Sequence, residues 1–145
     1  MKAERLDHIH IYVKDLDQAI RFFSEVLGTK FIDLGESKKF ALKGAFCPLG
    51  LELLQPTSMD SVVGRVIERR GEGVAGISFK VPSVEEASTE MQSRGIRTVS
   101  KSRGPGVKEI QFHPKDCHGV MIEFAEYEEQ HPCMAATLLA KQPRS

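Results

Sequence analysis

Two stretches decide the fold: "HIHIYVKDLDQA" at 8–19 and "GISFKVPSVEEA" at 76–87. Laid over one another, Ile9 meets Ile77, Ile11 meets Phe79, Val13 meets Val81, Leu16 meets Val84 and Ala19 meets Ala87. In each copy apolar residues first alternate with other residues, the period of a strand with two distinct faces, and then switch to helical spacing. After Val13 the helical set is Leu16, Ala19, Ile20, Phe23, Val26 and Leu27, with Asp15 placed to cap the start and Gly28 to close the end. In the second copy Ser83 with Glu86 forms a capping box, and Gly95 closes the helix.

The copies agree at their far ends as well. "LGLELLQ" (49–55) matches "VMIEFAE" (120–126) when Glu52 is set over Glu123. Between helix and final strand each copy has room for two further strands, "KFIDLG" and "KKFALKGAF" in the first, "IRTVSK" and "VKEIQFHP" in the second. Each module therefore reads β-α-β-β-β, and internal repetition of this kind governs the fold assignment. The expected class is α+β, two paired βαβββ modules forming a cup-shaped mixed sheet. Module one spans 5–56, a linker 57–73 carries a short helix from Ser61 to Arg70, module two spans 74–127, and a tail follows at 128–145. All of it is expected to form a single domain. In the tail, Met134, Leu138 and Leu139 have helical spacing and are expected to pack on this domain or on a partner subunit.

The 145 residues suit one ordinary domain with a core, 41% of them being hydrophobic. Twenty basic and twenty acidic residues cancel, and no long run of one sign occurs, so neither nucleic acid nor a membrane surface is the expected partner. A small molecule or another protein is. Cys47, Cys117 and Cys133 are odd in number and lack metal-finger spacing, which argues for a reducing compartment, the cytoplasm. "MKAERLDH" shows no apolar export segment and no apolar run reaches spanning length, so neither export nor membrane spanning is expected.

A carboxylate in the middle of an apolar strand invites explanation, and here it occurs at corresponding points of both modules. Its plain reading is exposure on the second face of a half-buried strand. Face-to-face packing of the modules would instead bring His8, Glu52 and Glu123 toward one concave surface. His10 lies on the same strand face as His8, about 6.5 Å along the chain. Metal ligand, hydrogen-bond partner of a substrate and satisfied core histidine remain open for it. Without a metal, His8 and a glutamate would form a buried polar pair. His113 and His118, in "FHPKDCHG", are read as turn residues beside Pro114, Asp116 and Gly119, and no constellation near Cys117 marks it as a nucleophile. "SRGPGVK" (102–108) is a weak phosphate-binding signal, lacking a strand-to-helix setting.

"LDHIHIYVKDLDQAIRFFSEVLG", "LELLQP" and above all "FHPKDCHGVMIEF" resemble the vicinal oxygen chelate superfamily, the glyoxalase, extradiol dioxygenase and bleomycin-resistance group. Within it the resemblance is to the methylmalonyl-CoA epimerase family. It implies a divalent ion (Co, Mn, Ni, Zn or Fe) held by His8, Glu52 and Glu123, and an isomerase that removes the proton alpha to the carbonyl of an acyl-CoA or related substrate. Glu123 is the implied base, and a homodimer the implied assembly. Two departures stand out. Ala75 and Gly76 occupy the place of the family's paired histidines, so Gly76 replaces a usual ligand; and no acidic residue lies between Lys38 and Leu51 to serve as a second base. A metal-free ligand-binding protein of the resistance type is the alternative on the same fold. Dioxygenase chemistry would require His10 to replace the missing ligand.

Overall fold

The computed structural model describes residues 1–104 and 106–128; the tail expected to pack helically, with Cys133, lies outside them. The first module runs β1 (Arg5–Tyr12), α1 (Leu16–Leu27), β2 (Ile32–Ser37), β3 (Leu42–Cys47) and β4 (Leu51–Pro56). A connecting helix, α2 (Val62–Arg70), leads to β5 (Gly73–Lys80), α3 (Val84–Ser93), β6 (Thr98–Gly104), β7 (Val107–Phe112) and β8 (Met121–Tyr127). The fold is α+β with the β-α-β-β-β order expected of each module.

The N-caps of α1 and α3 and the closing Gly28 are those read from the sequence, and α2 adds Ser61 as a cap. Asp15 accepts from the Gln18 N–H and Gly28 closes α1 at φ 62. Ser83 accepts from the Glu86 N–H at the start of α3, and Ser61 from the Gly64 N–H at the start of α2. Each satisfies a backbone donor that a helix start would otherwise leave without a partner.

The chain divides into two compact units, Ile9–Ala75 and Met1–His8 together with Gly76 onward. In the Ile9–Ala75 unit the strands run β2-β3-β4-β1, with β1 and β4 parallel and the other pairs antiparallel. One apolar cluster, Val13, Leu16, Ala45 and Leu53 with Ile20 and Phe23, seats α1. Another, Tyr12, Leu54, Val63 and Ile67, seats α2. The other unit repeats the scheme as β5-β8-β7-β6, β5 and β8 being parallel. Val81, Val84, Ala87, Ile110, Phe112 and Phe124 bury one face of its sheet against α3, with the Phe112 and Phe124 rings edge to face at 5.4 Å. The opening of β1 belongs here too: the Glu4 N–H donates to the Lys80 carbonyl at 2.8 Å.

"HPKD" forms a 3₁₀ turn, Pro114–Asp116, capped by His113 accepting from the Lys115 N–H. His118 takes a left-handed φ of 56. Both histidines thus serve the turn. Asp116 ties it down by accepting from Arg97 Nε at 2.8 Å, Nη2 at 2.9 Å and the Arg97 backbone N–H at 3.0 Å. Those bonds hold its carboxyl well below the usual aspartate range. A depressed folded value means that the contribution is complete above the ordinary aspartate pKa and fades as pH falls through the folded one. In Arg97→Gln, a carbon-detected NMR titration is expected to place the Asp116 carboxyl back near the ordinary range. An unchanged titration would show that Arg97 is not the cause.

Candidate functional site

Within the unit built on β5–β8, His8 comes beside Glu123. The imidazole Nε2 lies 3.5 Å from Glu123 Oε1, and each residue is only 2% exposed. His8 Nδ1 is 2.7 Å from Asp7 Oδ2. An ionised carboxylate only accepts, so this contact places the hydrogen on Nδ1 and makes Nε2 of the neutral ring an acceptor. That acceptor is turned toward a carboxylate oxygen. Two acceptors attract one another only through something positive between them, a proton or a cation. A tetrahedral ion with bonds of about 2.1 Å to nitrogen and oxygen spans roughly 3.4 Å between its donors. The buried His8–Glu123 pair therefore fits a divalent ion of the kind the resemblance implies, in donor type and in span.

Each of the two side chains is held from behind. Asp7 Oδ1 accepts from the Tyr127 hydroxyl at 2.5 Å, and that hydroxyl accepts from the Arg5 guanidinium. Burial, and then the bond to Asp7, push the Tyr127 phenol well above its ordinary pKa, so it keeps its hydrogen. Lys80 stands 4.8 Å over the Tyr127 ring and pairs with Glu4 at 3.2 Å. On the other side, Gln111 Nε2 donates to Glu123 Oε2 at 2.7 Å. The Gln111 carbonyl oxygen accepts from Ser100 Oγ at 2.9 Å, which fixes which way the amide faces.

The register explains the repeat at atomic level. β5 and β8 align Ser78 with Glu123, and β1 and β4 align His10 with Glu52. Glu52 and Glu123 are thus true counterparts, as are His10 and Ser78. In the Ile9–Ala75 unit His10 Nδ1 lies 3.0 Å from Glu52 Oε1, and His10 is 3% exposed. Each unit therefore carries one imidazole–carboxylate pair with a buried imidazole; Glu123 is buried with its partner and Glu52 only half-buried.

Gly76 has no room for a side chain as the strands stand. It aligns with Met121 on β8, and a Cβ at this position would stand 2.5 Å from Met121 Cε and 2.8 Å from the Met121 carbonyl oxygen. The space that the first side-chain atom of a histidine would need is taken by Met121 and its backbone carbonyl.

Of the residues singled out from the sequence, the structure brings His8 to Glu123 and His10 to Glu52. Asp7, Tyr127, Gln111 and Ser100 were not singled out. Alternation places Asp7 on the opposite strand face from His8, and Tyr127 reaches it across 120 residues of chain. The available signal was an acidic residue adjoining the histidine in "LDHIH".

The family model described as the glyoxalase/bleomycin resistance protein/dioxygenase superfamily matches residues 7–113. The mouse mitochondrial methylmalonyl-CoA epimerase is 30% identical over 132 residues, covering 86% of this chain and 74% of the mouse protein. A lactoylglutathione lyase from Schizosaccharomyces pombe is 30% identical over 155 residues, covering 91% of this chain and 50% of its own length. Among solved structures, a variant of the Streptomyces coelicolor methylmalonyl-CoA epimerase in complex with 2-nitronate-propionyl-CoA superimposes with a TM-score of 0.79 at 30% identity. That match covers 87% of this chain and 99% of the other. With the model spanning most of its length, and its strand order repeated in two βαβββ modules, the chain belongs to the glyoxalase/bleomycin resistance protein/dioxygenase superfamily.

Proposed function

We propose that the protein is an isomerase of the methylmalonyl-CoA epimerase type, removing the proton alpha to the thioester carbonyl of a branched acyl-CoA. The observation that carries this reading is Glu123: a buried carboxylate with one oxygen held by Gln111 and the other turned to His8. His8 and Glu123 would hold a divalent ion, and the family resemblance adds Glu52. When bound, such an ion acts as a Lewis acid that favours negative charge on the substrate carbonyl oxygen.

The chain's own groups supply the proton transfer. The Glu123 carboxylate takes the alpha proton, the C–H electron pair moves into the bond to the carbonyl carbon, and charge passes to the thioester oxygen. Gln111 keeps the carboxylate plane from turning as it changes charge. His10, steadied at Nδ1 by Glu52, is assigned as a hydrogen-bond partner of the substrate. Return of a proton to the opposite face completes the inversion. No carboxylic acid in 39–50 is available as its donor.

A homodimer in the cytoplasm belongs to the same reading. Phe22 and Val26, exposed at 57% and 63% on one face of α1, support the first, and the buried free thiols of Cys47 and Cys117 the second. Among the described residues no helix is long and apolar enough to cross a membrane.

Two measurements on untagged protein test the reading. About one equivalent of a divalent metal is expected, with deuterium entering methylmalonyl-CoA at its alpha carbon from heavy water. Exchange reads proton removal alone, so it does not depend on the second donor. Protein that carries metal but catalyses no exchange would remove the epimerase assignment. A metal-free protein that binds acyl-CoA without exchange would establish the second reading, a ligand-binding protein, which Met121 in the place of the fourth ligand favours.

A further inference from the structure

Arg5, Tyr127, Asp7 and His8 form a hydrogen-bonded line within one unit. Its direction is set at its far end. A guanidinium has donors and no acceptor, so Tyr127 must receive from Arg5 with its oxygen. The phenol hydrogen then goes to Asp7 Oδ1, and Asp7 Oδ2 is left to receive from His8 Nδ1. Asp7 and Tyr127 are 7% and 8% exposed, so water does not readily replace either link.

We propose that Arg5, Tyr127 and Asp7 are positioning residues that fix the tautomer of His8, keeping its hydrogen on Nδ1 and turning Nε2 toward Glu123 as an acceptor. The metal role of His8 rests on the reading given above; the tautomer does not. A ligating histidine whose other nitrogen donates to a carboxylate is held in tautomer and orientation together, and loss of that carboxylate costs roughly 10 to 100-fold in metal affinity.

The line makes a directional prediction that mere packing would not. In Asp7→Asn, Tyr127 still donates, so the new amide must turn its oxygen to Tyr127 and its NH2 to His8. Nδ1 then has to accept, and the hydrogen moves to Nε2, the nitrogen facing Glu123. In Asp7→Asn with Tyr127→Phe the hydroxyl that oriented the amide is gone, and Arg5 Nη2 at 3.7 Å from Oδ1 stands beyond hydrogen-bond distance, so the amide can rotate its oxygen toward His8 and restore hydrogen to Nδ1. The second substitution should therefore repair the first.

The test uses the full chain labelled with 15N in its histidines, metal-free at pH 8, with two- and three-bond 1H–15N correlations to read the His8 ring. Wild type and Tyr127→Phe are expected to show hydrogen on Nδ1, Asp7→Asn on Nε2, and the double variant on Nδ1 again. Titration with Co(II) alone provides a second readout: Asp7→Asn should bind about 10 to 100-fold more weakly than wild type, and the double variant should recover part of that loss. Hydrogen remaining on Nδ1 in Asp7→Asn overturns the proposal, as does a double variant no different from the single one. Should Asp7→Asn not fold, Tyr127→Phe alone decides. Severalfold weaker Co(II) binding with hydrogen kept on Nδ1 supports the line, and unchanged affinity overturns it. A wild-type protein that ignores Co(II) but still shows the inversion and its repair refutes the metal reading, leaving the positioning role intact.

Discussion

Glu123→Gln is expected to slow solvent exchange into methylmalonyl-CoA by about 10³-fold, in the range lost when a positioned general base is removed. The same substitution should leave the fold almost untouched. The replacement is nearly isosteric, and both neighbours suit an amide. Gln111 Nε2 already donates to one Glu123 oxygen, so it donates equally well to the new amide oxygen. His8 Nε2, an acceptor in the tautomer set by Asp7, would receive the new NH2. A buried polar group whose hydrogen bonds are all satisfied costs little, whereas one left unsatisfied costs about 1–3 kcal/mol. Thermal unfolding should therefore stay within a few degrees of wild type while exchange collapses. Metal content should fall as well, because a neutral amide oxygen is a poorer ligand than a carboxylate. An exchange rate within tenfold of wild type would remove Glu123 from the role of base, and unfolding lowered by ten degrees or more would contradict the tautomer assigned to His8.

How far the sequence was legible depended on the range over which each signal acts. Caps and periodicity are local, and Asp15, Gly28 and Ser83 stand where spacing alone put them. The duplicated pattern matched Glu52 with Glu123 and His10 with Ser78 as counterparts, and the strand register agrees with it by aligning His10 with Glu52 and Ser78 with Glu123. The hydrogen bonds behind the site were not legible. Tyr127 to Asp7 closes over 120 residues, and Gln111 to Glu123 joins strands whose pairing only the fold defines. Alternation also misdirects at Asp7, because a short carboxylate beside a histidine can fold back to its neighbour's ring nitrogen. A side chain's partner is then set by rotamer, not by strand face.

Gly76 is where sequence comparison and packing part most sharply, and it yields the second large effect. Reading Gly76 as a lost ligand suggests that Gly76→His would restore metal affinity. The structure predicts the opposite. A Cβ there meets Met121 Cε at 2.5 Å, which a flexible side chain can relieve by swinging away, but it also meets the Met121 carbonyl oxygen at 2.8 Å. That oxygen belongs to the parallel β5–β8 pairing, whose register aligns Gly76 with Met121 and Ser78 with Glu123. Relieving the contact means spreading the strands beside Glu123. Overpacking of this kind typically costs about 1–3 kcal/mol, which for a domain of this length is roughly 3–10 °C in the unfolding midpoint. Gly76→Ala should show that loss by itself, and Gly76→His should exceed it without any gain in bound metal. Combining Gly76→His with Met121→Ala removes the side-chain part of the clash and leaves the backbone part, so stability should return only partially. If Gly76→His instead unfolded at the wild-type temperature and bound Co(II) more tightly, the methionine would be a loose filler of an intact ligand position. On the geometry found, Met121 and its carbonyl hold the space that a side chain at 76 would need, and the close pairing of β5 with β8 that results is the one that aligns Ser78 with Glu123.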